Sequence, residues 1–464
     1  MNIPTAKYHA KTLSGFEELV AEELKLHGAT DIVIGRRGVD FVATAEAMYR
    51  HCMHARFTLR VLRIIHTFKA KNTDDLYRLS ARFSWEDIIK QDGSFVIDAT
   101  VNSKIFTHDK YASLKVKDAI VDRFRAKKGE RPSISKLNPD IRIHLHINEG
   151  DVTLSLDASG EPLSKRGYRS KYAAAPLNEV LAAGLLALSG WRPGITLYDP
   201  MCGSGTFTAE AALWASGMPV QMNRSHFAFM DWPNFNREAW IRVRDEAFEY
   251  NEEVPTYIYA SDSSKEAISQ TKFAMAQLDL SSHNVSIDQI DFLTSEPELD
   301  KGAYVVLNPP YGERLQAEDL DQLYVDIGDR LKFHWPGMKA WIISSNPFAL
   351  KCVGLRPNQR IKVFNGQLEC RWAGFDLYEG AKHDHKSGRK PGHGRKPGGK
   401  PGHGRKPGHG GKPGADRNSD NKPPRGPRSA AHFGGGKKRD SGKPDSVKSG
   451  SGSFNRPKRD SNNK

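Results

Sequence analysis

No stretch of the chain approaches the ~20 consecutive apolar residues of a membrane-spanning helix. The opening residues, MNIPTAKYHAKTLSGFEEL, also lack the apolar core of a signal peptide. Cysteine is scarce. The four present, Cys52, Cys202, Cys352 and Cys370, are scattered and form no CxxC pair, which excludes a disulfide framework. A reducing, cytoplasmic setting with no membrane association is therefore expected. At 464 residues the chain is too long for one typical core, so two or three domains are expected.

Positive charge is equally scarce over most of the length. The formal net charge is +14, but from Ala381 onward there are 23 Lys and Arg against 6 Asp. The first 380 residues hold 46 basic and 49 acidic side chains. All of the basic excess therefore lies in a Lys/Arg-Pro-Gly-His repeat, GRKPGHGRKPGGKPGHG, with almost no apolar residues. Such a segment cannot bury a core and is expected to be disordered. Its charge density suits RNA phosphates, since counterion release needs no fold. Its Gly/Pro-spaced histidines preorganise no metal site, and no metal is expected.

Ahead of this tail, three patterns follow one another. Residues 1–64 alternate short strand and helix signals. Ser14 and Glu17 suggest a capping box opening a helix that Gly28 stops, and DIVIGRRGVDFVAT reads as two strands about a turn. Residues 65–170 combine strand-like SFVIDATVNS with the hairpin IRIHLHINEGDVTLSLDAS, turning at Asn148-Glu149-Gly150. Between them lies an amphipathic helix with Leu114, Val116, Ile120, Val121 and Phe124 on its apolar side. Lys115, Lys117, Arg123, Arg125, Lys127 and Lys128 line its other side, a stripe that solvation alone would explain. Residues 171–380 alternate helix and strand as a doubly wound parallel sheet does, with an aromatic insertion, SHFAFMDWPNFNREAW, before the second strand.

Four strand ends carry chemistry. LYDPMCGSGTFTAEAAL ends a strand at Asp199 and opens a helix near Gly205. Its loop, Asp199 to Thr206 with Cys202, Gly203 and Gly205, matches neither G-x-G-x-x-G nor the Gly-Lys-Ser/Thr of a P-loop. Without a basic residue and with an acid before it, the loop disfavours phosphate. A cofactor with a cationic amino-acid moiety, of which S-adenosyl-L-methionine is the common one, fits better. Asp262 closes the next strand, placed either to accept ribose hydroxyls or to cap the following helix. Asp291 closes the third, beside an adenine amino group or simply in a turn.

The fourth is VVLNPPYGERL. Pro309 and Pro310 cannot donate to a sheet ladder, so the strand stops at Asn308. The Asn308 side-chain oxygen and the Pro309 carbonyl can accept the two hydrogens of an exocyclic amine, aiming its lone pair at an electrophilic methyl group. Tyr311 offers a face for an extruded base.

DPMCGSGT, NPPYGERL, KYASLKVKDAIVDRFR and LSKRGYRSKYAAAPLNEVLAAGLL, in this order, resemble the class I RNA methyltransferases whose Rossmann-like domain follows a THUMP domain. Among these they resemble the L-type large-subunit ribosomal RNA enzymes, over about Tyr8 to Gly380. The resemblance implies a ferredoxin-like α+β domain (1–64), a THUMP RNA-binding domain (65–170), a Rossmann-like α/β methyltransferase domain (171–380) and a disordered basic tail (381–464). It implies methyl transfer from S-adenosyl-L-methionine to guanine N2 in 23S rRNA, free or in a pre-50S particle. It assigns Asp199, Cys202, Gly203, Gly205, Thr206, Asp262 and Asp291 to the cofactor, and Asn308, Pro309, Pro310 and Tyr311 to catalysis.

Two departures stand out. Ser264 occupies a position where family members often carry a second acid, and the chain ends in the basic tail, so a fused 7-methylguanosine activity is not expected. The same NPPY chemistry also serves DNA adenine and protein glutamine methyltransferases, which the upstream RNA-binding module disfavours. A tRNA guanine-N2 enzyme and a non-catalytic RNA-binding ribosome-assembly factor are the alternatives.

Overall fold

Period-two alternation of apolar residues builds the first of two sheets. The computed structural model describes residues 4–169, 177–249, 253–280, 284–296, 298–310 and 317–378. The first elements are β1 (Thr5–Lys11), α1 (Glu17–Leu26), β2 (Thr30–Gly35), β3 (Gly38–Thr44), α2 (Ala45–His54) and β4 (Arg60–Lys69). Tyr8 and Ala10 of β1 and Phe41 and Val39 of β3 are paired across the strands and buried. Next come α3 (Thr73–Arg82), β5 (Ser94–Asn102), α4 (Asp109–Lys128), β6 (Ser133–Ile134), β7 (Ile141–Asn148) and β8 (Asp151–Asp157). The hairpin turns where the sequence places it, with Asn148 paired to Asp151.

β4 pairs with β1 on one edge and β8 on the other. The two patterns recognised in the sequence therefore share one eight-stranded sheet, β2-β3-β1-β4-β8-β7-β5-β6, and the 64/65 division falls inside β4. Two local expectations are corrected. α1 is not opened by a capping box: its N-cap is Phe16. Glu17 instead accepts the N–H groups of Gly15 (2.7 Å) and Arg37 (2.8 Å). Phe16 is fully buried, and that burial sets where the helix starts. In α4, Val116, Ile120, Val121 and Phe124 are buried but Leu114 is exposed. The helical row that packs is 112, 116, 120 and 124, and Leu114 lies off it. The basic stripe is also divided. Arg123 makes two 2.7 Å bonds to Glu86 and a third to the Ala81 carbonyl, so it holds the fold together, and Lys127 shares the same carboxylate.

The second sheet takes its strands from α5 (Glu179–Ser189), β9 (Leu197–Asp199), α6 (Thr206–Ala215), α7 (Arg237–Glu249), β10 (Ile258–Asp262), α8 (Lys265–Gln277), β11 (Val285–Gln289), β12 (Tyr304–Leu307), α9 (Ala317–His334), β13 (Lys339–Ser344), α10 (Ala349–Cys352), β14 (Gln359–Asn365) and β15 (Leu368–Asp376). The order is β11-β10-β9-β12-β13-β15-β14. β11 through β13 run parallel, and the β14–β15 hairpin closes the edge antiparallel. The order reverses on either side of β9, and open α/β sheets bind ligands at such a switch point. Among the described residues no helix is long and apolar enough to cross a membrane.

The sheets are joined by packing and by a buried ion pair. Phe16 lies against Gly184 of α5, where an added Cβ would come within 2.1 Å of its ring. Arg166 pairs with Glu210 of α6, both side chains fully buried, and donates to the carbonyls of Ala55 (3.2 Å) and Arg56 (2.7 Å). Tyr168 donates to the same Glu210 oxygen at 3.0 Å, and the acid's other oxygen is buried without a partner among the described residues. The aromatic insertion is core rather than surface, since Phe229 stacks on Tyr49 of α2 with ring centroids 4.3 Å apart. Arg166→Met leaves Glu210 buried without its counter-charge. It is expected to destabilise the fold by about 3–5 kcal/mol in chemical denaturation, with the double variant Arg166→Met/Glu210→Gln losing less.

Candidate active site

At the switch point three parallel strands end at one level, and their loops converge. β9 ends at Asp199, whose Oδ2 accepts the Thr208 hydroxyl at 2.9 Å. Its Oδ1 is buried and has no hydrogen-bond partner among the described residues. Burial, with a smaller contribution from the charge of Asp262, pushes this carboxyl up to about 7.

The loop after Asp199 depends on backbone that only glycine adopts readily. Gly203 has φ +54° and Gly205 φ +75°. A Cβ on Gly205 would also strike Thr271 at 2.7 Å, whereas the position a Gly203 Cβ would take is open space. Asp262, at the end of β10, accepts the Gly203 N–H through Oδ2 (3.0 Å) and the Ser264 N–H through Oδ1 (2.9 Å). Thr271 donates to the Gly203 carbonyl at 3.0 Å. The turn is thus fastened to β10 and α8 from both sides. Of the two roles open to Asp262, the helix cap belongs instead to Ser264, whose hydroxyl accepts the Ala267 N–H. That gives Ser264 a structural task at the position where the second acid is missing. Cys202 is buried with its N–H on the Ser261 carbonyl, and burial raises its thiol, so it packs the turn rather than acting as a nucleophile.

Asp291 departs from expectation. β11 stops at Gln289, so Asp291 sits two residues beyond the strand. There its Oδ1 accepts the Leu293 N–H at 2.9 Å and its carbonyl the Thr294 N–H at 3.0 Å. The turn reading of this acid is observed, and the turn leaves it on the wall of the cleft.

β12 is buried from Tyr304 through Leu307, and Asn308 follows where the prolines end the ladder. The Asn308 Oδ1 is buried and without a hydrogen-bond partner among the described residues. An orphaned buried acceptor costs about 1–3 kcal/mol, which is recovered when a ligand supplies a donor. Tyr311 lies outside the described residues.

These elements enclose a cleft of about 910 Å³. Cys202, Gly203, Thr206, Asp262, Asp291, Asn308, Pro309 and Pro310 all line it, while Asp199 and Gly205 stand behind it. Sequence reasoning missed Gln270 and Glu266 of α8, Leu323 of α9, and Asn365 and Leu368. The last two are paired across the tip of the β14–β15 hairpin. An Asn-Gly pair, the strongest short-range hairpin signal, marks that tip at Asn365-Gly366, but nothing local says that the tip folds back to the cleft. Three carboxylates line the cleft, and no Lys, Arg or His does among the described residues. Such a wall repels phosphate and suits a cationic ligand.

Comparison with known proteins agrees with this layout. Residues 7–62 match the RlmL ferredoxin-like domain, 70–157 the THUMP domain, and 166–374 the RMKL-like methyltransferase domain. The chain is 37% identical to "Ribosomal RNA large subunit methyltransferase K/L" of Syntrophotalea carbinolica, covering 80% of this chain and 54% of that one. It thus spans about half the length of that relative. It is 35% identical to "Putative RNA methyltransferase slr0064" of Synechocystis sp., covering 81% of this chain and 97% of that protein. A crystal structure of SMU.472, described as "a putative methyltransferase complexed with SAH", superposes with a TM-score of 0.73. It covers 82% of this chain and all of its own at 24% identity, a likeness of fold. The chain belongs to the THUMP-containing RNA methyltransferases with an RMKL-like catalytic domain.

Proposed function

We propose that this protein transfers a methyl group from S-adenosyl-L-methionine to the exocyclic N2 of a guanine in 23S rRNA, in the cytoplasm. The observation that carries the reading is the orphaned, buried Asn308 Oδ1 at the rim of an acid-lined cleft. The residues fit the cofactor: among the described residues the wall is acidic and free of basic side chains and Asp199 Oδ1 lacks a partner, and the turn leaves open space over Gly203. Bound there, the cofactor supplies a methyl group on a positively charged sulfur.

Each oxygen of Asp262 already holds one N–H, which orients the carboxylate and leaves further lone pairs for two ribose hydroxyls. Asp199 faces the cationic amino-acid end, and Asp291 the adenine side. On the other wall, Asn308 Oδ1 and the Pro309 carbonyl accept the two hydrogens of the guanine amine, so its lone pair points at the methyl carbon. No strong base is required: the neutral amine would form the N–C bond as the S–C bond breaks, leaving the cofactor as a neutral thioether, and the surplus proton would pass from the methylated amine to solvent. Tyr311 is assigned the face on which the extruded base stacks. The relatives named for ribosomal RNA methylation support 23S rRNA as substrate, and an assembling 50S particle is the natural form in which the guanine is accessible. The basic tail from Ala381 adds sequence-independent phosphate contacts.

Two substitutions test this reading. Asn308→Ala is expected to lower methyl transfer to a 23S rRNA fragment about 100-fold or more with cofactor affinity little changed in isothermal titration. Asp262→Ala is expected to weaken cofactor binding about 10-fold or more. Retained turnover in the first, or unaltered affinity in the second, rejects the assigned role.

Asp199 gives a pH signature. Its folded-state pKa, about 7, lies above the usual 3.8, so the folded state holds a proton that the unfolded chain releases. This stabilisation is full below about pH 4 and is lost as pH rises through about 7. The cationic ligand prefers the ionised acid, so affinity for S-adenosyl-L-methionine is expected to rise up to about pH 7 and then level. Asp199→Asn should flatten both profiles in pH-resolved titration and denaturation. Finally, ending the chain at Gly380 should weaken RNA binding most at low salt in fluorescence anisotropy, and an unchanged salt slope would remove the tail from RNA binding.

A further inference from the structure

A second cavity, of about 640 Å³, opens where all three matched segments meet. Lys7 comes from β1, and Arg63 and His66 from β4. Ser84 and Asp87 follow α3, and Asn234 comes from the aromatic insertion of the methyltransferase domain. β4 shifts register between Ile64 and His66. Such bulges re-aim side chains, often beside functional sites.

The cavity carries a cation that the fold leaves unmatched, beside a buried indole. The Arg63 guanidinium stacks over Trp232, 5.8 Å from the ring centroid. No carboxylate or carbonyl accepts from Arg63 among the described residues, although it is half-buried. Trp232 is itself 5% exposed, and its Nε1–H has no acceptor among the described residues. Lys7 is exposed and forms no ion pair among the described residues, but β1 turns its side chain to the face opposite Tyr8 and its register partner Arg63, so it is no ligand of the cavity. His66 lies against Phe83, ring centroids 5.2 Å apart. Asp87, the acid on the rim, sits in the field of Arg123.

We infer that this cavity is an anion subsite that takes a backbone phosphate of the RNA substrate, with Arg63 as its principal ligand. The inference rests on the reading that the substrate is RNA. The methyl-transfer cleft is walled by Asp262, Glu266 and Asp291, so it holds a base while repelling the phosphates on either side of it. Those phosphates need a cationic anchor elsewhere on the described surface. An arginine beside an indole ring and without a carboxylate or carbonyl acceptor among the described residues keeps its N–H donors free for phosphate oxygens. Because Asn234 of the methyltransferase domain's insertion shares the cavity with Arg63 of β4, an anchor there also places the RNA relative to the domain that carries Asn308.

The test uses the full chain and a 23S rRNA fragment, with affinity followed by anisotropy over a salt series. Arg63→Gln is expected to weaken binding several-fold at low salt and to lower the salt slope by about 1. Arg63→Lys should keep the slope, and neither variant should alter affinity for S-adenosyl-L-methionine. A folded Arg63→Gln protein with wild-type affinity and slope overturns the subsite. Should that variant fail to fold, Asn234→Asp, at an exposed position on the cavity wall, decides: weaker binding at low salt supports the subsite and unchanged binding overturns it. A wild-type protein that binds rRNA without transferring methyl defeats the functional reading while leaving the subsite. An active wild type with an unaltered Arg63→Gln slope defeats only the subsite.

Discussion

The grip that Asp262 and Thr271 exert on the backbone of Gly203 is the constraint on which the rest of the site depends. One takes its N–H at 3.0 Å and the other donates to its C=O at the same distance. The turn after β9 is thereby held against β10 and α8 in a left-handed conformation that a side chain would strain. Because the turn cannot relax, α6 begins at Thr206 with its N-terminus facing the cleft. α6 is also the helix that Arg166 clamps to the N-terminal sheet through Glu210. The geometry of the cofactor wall and the attachment of the N-terminal sheet therefore meet in one helix.

Electrostatics divides the molecule's tasks. Asp199 sits in the interior with an oxygen unmatched, and Asp262, Glu266 and Asp291 line the cleft without a basic neighbour among the described residues. Such a site attracts a cation and excludes the phosphates that surround any RNA base. Affinity for the polyanion then has to come from other surfaces, for which the Arg63 cavity and the basic tail are proposed. This separation gives a physical reason for the upstream module. The chemistry requires an acidic, dry cleft, and substrate binding requires the opposite charge at a distance.

Much of this was legible from residues alone, and the failures share a cause. The end of β10 is marked by the Asp and Ser that precede a helix. The ends of β9 and β12 could be read because proline and glycine act locally, and Pro309 ends a ladder whatever surrounds it. The helix starting at Gly205 and the hairpin at Asn148 followed for the same reason. The capping box at Ser14 was misread because Phe16 is buried against Gly184, a contact 168 positions away that outranks a local cap. Leu114 was misplaced because the turn of α4 that faces the sheet is set by packing, not by hydrophobicity alone. The continuity of the first sheet through β4, and the arrival of Asn365 and Leu368 at the cleft, are consequences of strand order, which no window of sequence contains. Asp291 shows a milder form. Its strand was found, but the strand ends two residues early, and the acid reaches the cleft by a turn.

The division of labour between the two walls leads to one product. A carboxylate wall with open space over Gly203 faces an amide oxygen that lacks a donor among the described residues, and a THUMP domain lies upstream. The most direct measurement is nucleoside mapping by mass spectrometry of 23S rRNA and tRNA from cells lacking the gene. The account predicts loss of one N2-methylguanosine from 23S rRNA with tRNA unchanged, restored by the wild-type chain. An intact 23S rRNA profile would contradict it, most pointedly if an N2-methylguanosine were missing from tRNA instead.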